Sequence, residues 1–203
     1  SVDSGTLTVG IATDSPVGYI ADGATGLTLA KYSFYSAGEA VKIDNLTISC
    51  YGTDATDYID NVKLLLDGSQ VGTTDTTLLC DSAATDTTNY TFGNTFIVPA
   101  GTYKYVTVVA DTTDTTVTNT SNLRVDLVAG SGNATGQTTF TSISSSAQQG
   151  RLLGVKDGTV TVAKNSSFGD KSATIPTGVS GATGVKIASF TISAGSGEAV
   201  DVT

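Results

Sequence analysis

The stretch Leu27-Thr28-Leu29-Ala30-Lys31-Tyr32-Ser33-Phe34-Tyr35-Ser36 alternates apolar with polar side chains, first at Leu27 and Leu29 and then at Tyr32 and Phe34. A period of two residues is typical of a β-strand that buries one of its faces. Similar stretches recur along the chain, and no sustained helical period with capping residues accompanies them. These further predicted strands cover residues 5–12, 40–51, 90–98, 103–110, 122–129 and 137–143.

One hairpin is predicted with its turn. Residues 62–66 read Val-Lys-Leu-Leu-Leu, Asp67-Gly68-Ser69 follows, and residues 70–72 continue as the next strand. Asp-Gly between two apolar runs favours a tight hairpin turn. Regular short strands separated by such turn signals predict an all-β fold, specifically an immunoglobulin-like (Ig-like) antiparallel β-sandwich.

The composition limits the classes of function. The chain of 203 residues has a net charge of −9, ten basic residues and no histidine. Histidine-based acid–base pairs, Ser-His-Asp triads and imidazole metal sites are therefore excluded, and we expect no nucleic-acid partner because the basic residues are few and scattered. We also expect no membrane span, since the sequence has no apolar run of sufficient length.

The two cysteines, Cys50 and Cys80, each end a predicted strand. Two cysteines thirty residues apart in a sequence of secreted character predict a disulfide, which would close a long loop. Two buried free thiols are the alternative.

Three blocks of sequence occur twice in the same order. Residues 5–9 recur at 158–162, residues 23–30 at 181–188, and Gly38-Glu39-Ala40-Val41 at 197–200. The offsets of 153, 158 and 159 predict a tandem repeat of about 155 residues.

The repeat predicts four segments, and it is interpreted as incomplete at both ends. Residues 1–22 would be a closing strand of a preceding repeat plus a linker, and 23–163 an Ig-like sandwich. Residues 164–180 would be a linker, and 181–203 the opening strands of a following, incomplete domain.

The order of these blocks resembles a known family. Residues 5–9, 23–30 and 61–68 are followed by Ile97-Val98-Pro99-Ala100-Gly101-Thr102 and the alternating run to Asp111. This pattern resembles the tandem Ig-like repeats of large prokaryotic cell-surface proteins of the S-layer and surface-filament kind. The resemblance implies an extracellular or cell-surface location and a role in assembly or adhesion, and it brings no binding residues with it.

Acidic residues offer two candidate sites. The only two glutamates, Glu39 and Glu198, are repeat equivalents, which indicates a structural position rather than a catalytic pair. Asp54, Asp57 and Asp60 are candidate calcium ligands, because Ca²⁺ prefers clustered oxygen donors. Solvated turn aspartates are the alternative, and no other cofactor is expected.

Glycans are expected on the surface. Five Asn-x-Ser/Thr sequons make the protein a candidate glycoprotein. They lie at Asn45, Asn89, Asn119, Asn133 and Asn165.

The leading functional hypothesis is a structural subunit of an extracellular filament or surface layer, a homopolymer built from copies of itself. Strands from adjacent subunits or repeats would complete each other's sheets head to tail. The predicted assembly residues are Leu7, Val9, Ile11, Val185, Ile187, Phe190 and Ile192. We expect no enzymatic activity, since no catalytic constellation is visible.

Two alternatives remain. One is an adhesin stalk or carbohydrate-binding module of a secreted multidomain protein, and the other an accessory region of a secreted enzyme. Exposed aromatic side chains would favour the sugar-binding alternative. The candidates are Tyr19, Tyr51, Tyr58, Tyr90, Tyr103 and Tyr105.

Overall fold

The computed structural model describes residues 4–53, 57–112, 122–156, 160–168 and 187–194. The chain divides into two compact units, Ser1–Asp157 and Gly158–Thr203. The boundaries at residues 23 and 163 were predicted from the sequence repeat. They refer to repeat units rather than to these compact units, and they stay a prediction.

Strands dominate the first unit, and the described residues contain no α-helix. The strands among its described residues are β1 (Thr6–Ile11), β2 (Gly18–Ala21), β3 (Leu27–Ala37), β4 (Val41–Ile43), β5 (Asn45–Gly52), β6 (Asp57–Leu66), β7 (Ser69–Asp81), β8 (Thr87–Thr91), β9 (Ile97–Val98), β10 (Tyr103–Asp111), β11 (Asn122–Leu127), β12 (Gly130–Gly136), β13 (Ser142–Ser145) and β14 (Leu153–Lys156). The predicted all-β class is therefore confirmed.

Most of the first unit is one large sheet. Its strand order is β1-β3-β10-β6-β7-β5-β11-β14-β2, and β8 also pairs with β5. Two pairings are parallel, β5 with β7 and β14 with β2, so the sheet is mixed rather than purely antiparallel as predicted. A smaller sheet has the order β13-β12-β4-β9.

The predicted hairpin turn is present between β6 and β7. Leu66 pairs with Ser69, and the two residues between them have positive φ angles, 48° for Asp67 and 90° for Gly68. Glycine adopts this left-handed region without steric cost, and aspartate tolerates it better than most residues. The Asp-Gly dipeptide therefore determines where this hairpin reverses.

The sheet curls so that β3 faces β11 across the core. Tyr32 and Phe34 of β3 are fully buried, and the Tyr32 hydroxyl donates a hydrogen bond to the Val125 carbonyl of β11 at 2.5 Å. Phe34 also contacts Phe96 edge to face, with ring centroids 5.2 Å apart. Burial raises the pKa of the Tyr32 hydroxyl far above its ordinary value, so it remains a donor.

We expect Tyr32→Phe to lower the free energy of unfolding by about 1–2 kcal/mol, because the buried Val125 carbonyl loses its side-chain donor. Urea unfolding of the full chain measures the loss. Tyr103→Phe is the control, since the Tyr103 side chain is exposed and the substitution should cost less than about 0.5 kcal/mol. Equal stability of the two variants would contradict the prediction.

The strand at residues 5–12 has its sheet within this chain. β1 pairs antiparallel with β3 over six residues, from Thr6 opposite Ala37 to Ile11 opposite Tyr32. Val9 is buried, while Leu7 and Ile11 pack partly buried against the core. The hypothesis that residues 5–12 need a neighbouring subunit for pairing is therefore not supported.

The described part of the second unit is a hairpin of β15 (Val160–Lys164) and β16 (Phe190–Ala194), with one turn of 3₁₀ helix at Ser166–Phe168. Val162 pairs with Ile192. Val9 lies 153 positions before Val162, and Phe34 lies 158 positions before Ile192. Val9 and Phe34 pair with each other in the first unit. All five residue pairs of β15 and β16 match the β1–β3 register in this way.

Candidate assembly surface and tyrosine groove

The β15–β16 hairpin exposes apolar side chains. Phe190 is 66% exposed and Ile192 is 50% exposed, and Val160, Val162 and Ile187 are exposed as well. Among the described residues β16 pairs only with β15, so its other edge meets no strand there. We call these five side chains the hairpin face. Apolar side chains gathered on one small element indicate a surface that a partner covers.

The equivalent side chains of the first unit are buried. Tyr32 and Phe34, which correspond to Phe190 and Ile192, are both fully buried. β10 covers the second edge of β3, with Val106 opposite Tyr32 and Lys104 opposite Phe34. β3 thus has the neighbour that β16 does not have within the described residues.

The predicted assembly residues divide between the two units. Leu7, Val9 and Ile11 belong to the edge strand β1 of the large sheet. Ile187, Phe190 and Ile192 lie on the hairpin face, whereas Val185 lies outside the described residues.

A second surface feature is a groove of about 650 Å³ beside β10. Its walls include Tyr103 and Tyr105, whose rings lie nearly parallel with centroids 6.4 Å apart. Tyr35 on β3 extends the aromatic surface, 4.8 Å from Tyr103 between ring centroids. Of the six tyrosines proposed from sequence, Tyr103 and Tyr105 line this groove, whereas Tyr90 is buried with its hydroxyl donating to the Val62 carbonyl.

One end of the groove carries an ion pair. The Lys31 ammonium donates to the Asp14 carboxylate at 2.5 Å, and the same ammonium lies 5.0 Å from the centroid of the Tyr105 ring. The hydrogen bond from Lys31 holds the pKa of Asp14 below its usual value. The sequence did not single out Tyr35, Asp14 or Lys31, because only the pairing of β1, β3 and β10 brings them together.

Glu39 forms a buried carboxylate site at one end of the smaller sheet. Its Oε1 accepts from the Gly5 amide at 2.9 Å and from the Thr139 hydroxyl at 2.5 Å, and its Oε2 accepts from the amides of Thr138 and Thr139. These hydrogen bonds, with those of Thr139 first, lower the pKa of Glu39 to about 2. The structural role predicted for Glu39 agrees with these contacts, while Glu198 lies outside the described residues.

The predicted disulfide is present. Cys50 and Cys80 are bonded, with their Cα atoms 4.5 Å apart, and both side chains are fully buried. They lie opposite each other in the parallel pairing of β5 and β7. The alternative of two free thiols is therefore wrong.

The calcium prediction stays a prediction. Asp54 and the side chain of Asp57 lie outside the described residues, and Asp60 is opposite Asp111 in the β6–β10 pairing. No group of three acidic, histidine or cysteine side chains arranged for a metal occurs in the described part of the chain.

The sequons lie in different environments. Asn89 is exposed, Asn45 and Asn165 are half-buried, and Asn119 lies outside the described residues. Asn133 is 4% exposed, and its amide nitrogen donates to the Asn45 carbonyl and the Ser145 hydroxyl. A glycan on that nitrogen would replace these buried hydrogen bonds, so Asn133 is withdrawn from the predicted glycosylation sites.

Within the described ranges, no helix combines the length and hydropathy needed to cross a bilayer.

Comparison with known proteins shows no family. No family model matches the chain, and no curated protein matches it. A solved structure described as "AvmM Catalyzes Macrocyclization in Alchivemycin A Biosynthesis" is 12% identical, with a TM-score of 0.35. That match covers 75% of this chain and 89% of the other.

This comparison contradicts the expectation that the chain is not an enzyme, because the matched structure is described as a catalyst. The expectation is withdrawn. At this TM-score and identity the match assigns neither a fold family nor an activity to this chain.

Proposed function

We propose that this chain is a repeat-built structural component of an extracellular filament or surface layer. Its repeats are Ig-like sandwiches that extend head to tail, and a strand of an adjacent subunit or repeat covers the hairpin face. The single observation that carries the proposal is the hairpin itself, which has the β1–β3 register but exposes the side chains that β3 buries.

The register match supports tandem repetition independently of the sequence blocks. Residues 190–194 lie outside the three matching blocks, yet they pair with β15 as β3 pairs with β1. A shift of one residue would exchange the two faces of a strand, so an identical register places equivalent side chains on equivalent faces. The hairpin is then the start of a second domain like the first.

The covering strand should resemble β10. In the first unit β10 runs antiparallel to β3 and buries Val106 and Val108 beside it. A strand of this type on the open edge of β16 would supply backbone hydrogen bonds and apolar cover together. Exchange of such strands between copies gives a heterologous contact, which extends into fibres or lattices when it does not close.

An extracellular location fits two further properties. The buried disulfide is of the kind that persists in oxidising compartments. The net charge of −9 keeps an exposed protein soluble.

We expect Phe190→Asp combined with Ile192→Asp to raise the dissociation constant of the subunit contact at least about 100-fold, since burying each apolar side chain contributes about 1.5–3 kcal/mol. Sedimentation velocity and electron microscopy of the full chain measure assembly. A peptide with the sequence of Tyr103–Asp111 should inhibit assembly by occupying the same edge.

Phe140→Asp is the matched control. Phe140 is an exposed phenylalanine of the first unit at a positive φ of 56°, a conformation that aspartate tolerates, and its variant should assemble normally. A wild-type chain that stays monomeric at every concentration, or a double variant that assembles like wild type, would refute the proposed function.

A further inference from the structure

We propose that the tyrosine groove, lined by Tyr103, Tyr105, Ser33 and the Asp14–Lys31 pair and flanked by Tyr35 and Gly10, binds a neutral oligosaccharide of β-linked sugars with equatorial hydroxyls. This inference goes beyond the structural role proposed above and does not depend on assembly.

A pair of small residues lies at the groove, Ser33 in its lining and Gly10 beside Ser33. Gly10 of β1 lies opposite Ser33 of β3, and the Ser33 hydroxyl donates to the Gly10 carbonyl at 3.3 Å. Their neighbours Val9 and Phe34 are buried, so Gly10 and Ser33 lie on the outer face of the sheet. A side chain at Gly10 would stand beside Ser33, which lines the groove. The volume of about 650 Å³ is within the range of small-ligand sites.

The aromatic wall lies on the same outer face. Tyr103 is opposite Tyr35, and Tyr105 is opposite Ser33, so the three rings form one patch across two strands. Tyr103 is 58% exposed and Tyr105 is 38% exposed, and because the Lys31 ammonium lies over the Tyr105 ring, the Tyr103 ring is the more accessible of the two to a ligand. A sugar ring whose hydroxyls are equatorial presents its C–H bonds above and below, and these faces pack on aromatic rings. Tyrosine also offers a hydroxyl to the polar rim of such a ligand.

The polar end selects for a neutral ligand. Asp14 and Lys31 neutralise each other, while the carboxylate can still accept and the ammonium can still donate further hydrogen bonds. Sugar hydroxyls do both, so they match this pair. The net charge of −9 disfavours sulfated or uronic-acid polymers and nucleic acids, because the groove adds no net positive charge.

Calorimetric titration and NMR of the full chain with cellohexaose and chitohexaose test the proposal, with polygalacturonate as the anionic comparison. We expect binding of at least one neutral hexasaccharide and no binding of the polyanion. Tyr103→Ala should weaken binding by about tenfold through the lost ring contact. Tyr58→Ala is the matched control, because Tyr58 is 39% exposed on β6 outside the groove, and it should leave binding unchanged.

A second variant keeps the proposal testable if Tyr103→Ala does not fold. Gly10→Val adds a side chain beside Ser33 at the edge of the groove, and its Cβ would lie 3.4 Å from the Ser33 hydroxyl, an ordinary contact. Valine suits a strand, so this variant should keep the thermal stability and lose binding. Repeating the titrations in the Phe190→Asp chain separates sugar binding from any failure of assembly.

Three outcomes overturn the proposal. They are the absence of binding to both hexasaccharides at millimolar concentration, binding that Tyr103→Ala and Gly10→Val leave unchanged, and a preference of the groove for a proline-rich peptide or for polygalacturonate.

Discussion

Replacing Cys50 and Cys80 together by alanine is expected to lower the free energy of unfolding by about 3–4 kcal/mol, the chain-entropy contribution for a loop of this length. The loss should be large because of where the disulfide lies. β5 and β7 are paired over only two residue positions, Cys50 opposite Cys80 and Tyr51 opposite Asp81. This short parallel pairing is where the large sheet passes from β7 to β5, and the disulfide joins its two sides.

Thermal and urea unfolding of the full chain measure this effect. A loss of that size corresponds to a decrease in Tm of roughly 10 °C for the first unit. Complete reduction after unfolding should bring the wild-type chain to the stability of the double variant and leave the variant unchanged. A double variant that melts within about 2 °C of the oxidised wild type would contradict this prediction. It would show that packing alone holds β5 beside β7.

Glu39→Gln is expected to cause the next largest loss of stability, and the loss should depend on pH. The carboxylate is 4% exposed and accepts hydrogen bonds from the amides of Gly5, Thr138 and Thr139. Glutamine would place an NH₂ donor against at least one of these N–H donors. The carboxylate also packs closely against Gly136, where a Cβ would lie 2.4 Å from the Glu39 Oε1.

The direction of the pH dependence follows from the pKa of Glu39, which is lowered from 4.5 to about 2 in the folded chain. A group whose folded pKa is depressed stabilises the fold fully above its unfolded pKa. That stabilisation is lost as the pH falls from about 4.5 towards about 2. The Tm difference between wild type and Glu39→Gln should therefore be greatest above pH 5 and shrink steadily in this window.

Melting curves of both proteins between pH 2 and pH 7 provide the measurement. Thr139→Val serves as a graded comparison, since it removes the hydroxyl that donates to Oε1 and accepts from the Thr141 amide at 3.3 Å, and it keeps the backbone amide donors to the carboxylate. Its loss should be smaller than that of Glu39→Gln at neutral pH. A pH-independent difference for Glu39→Gln would mean that these contacts do not lower the pKa of Glu39 in the folded chain.

Much of the local structure could be predicted from the sequence because it depends on near neighbours. Alternation located most strands, and Asp67-Gly68 located one reversal, since few dipeptides tolerate two positive φ angles. The disulfide was predicted from the two cysteines at strand ends. The pairing of β15 with β16 was not predicted, although its register has the offsets of 153 and 158 from the β1–β3 register.

The sequence by itself thus determined the all-β class, one hairpin turn and the position of the only disulfide. Only the tertiary structure decided the strand partners, because alternation states which face of a strand is buried but not which neighbour it pairs with. The tertiary structure therefore placed β1 beside β3, made the β5–β7 pairing parallel and brought Gly5 and Thr139 to Glu39. The tyrosine groove arises in the same way, because strand pairing brings together residues that are distant in the chain, such as Ser33 and Tyr105, which are 72 positions apart.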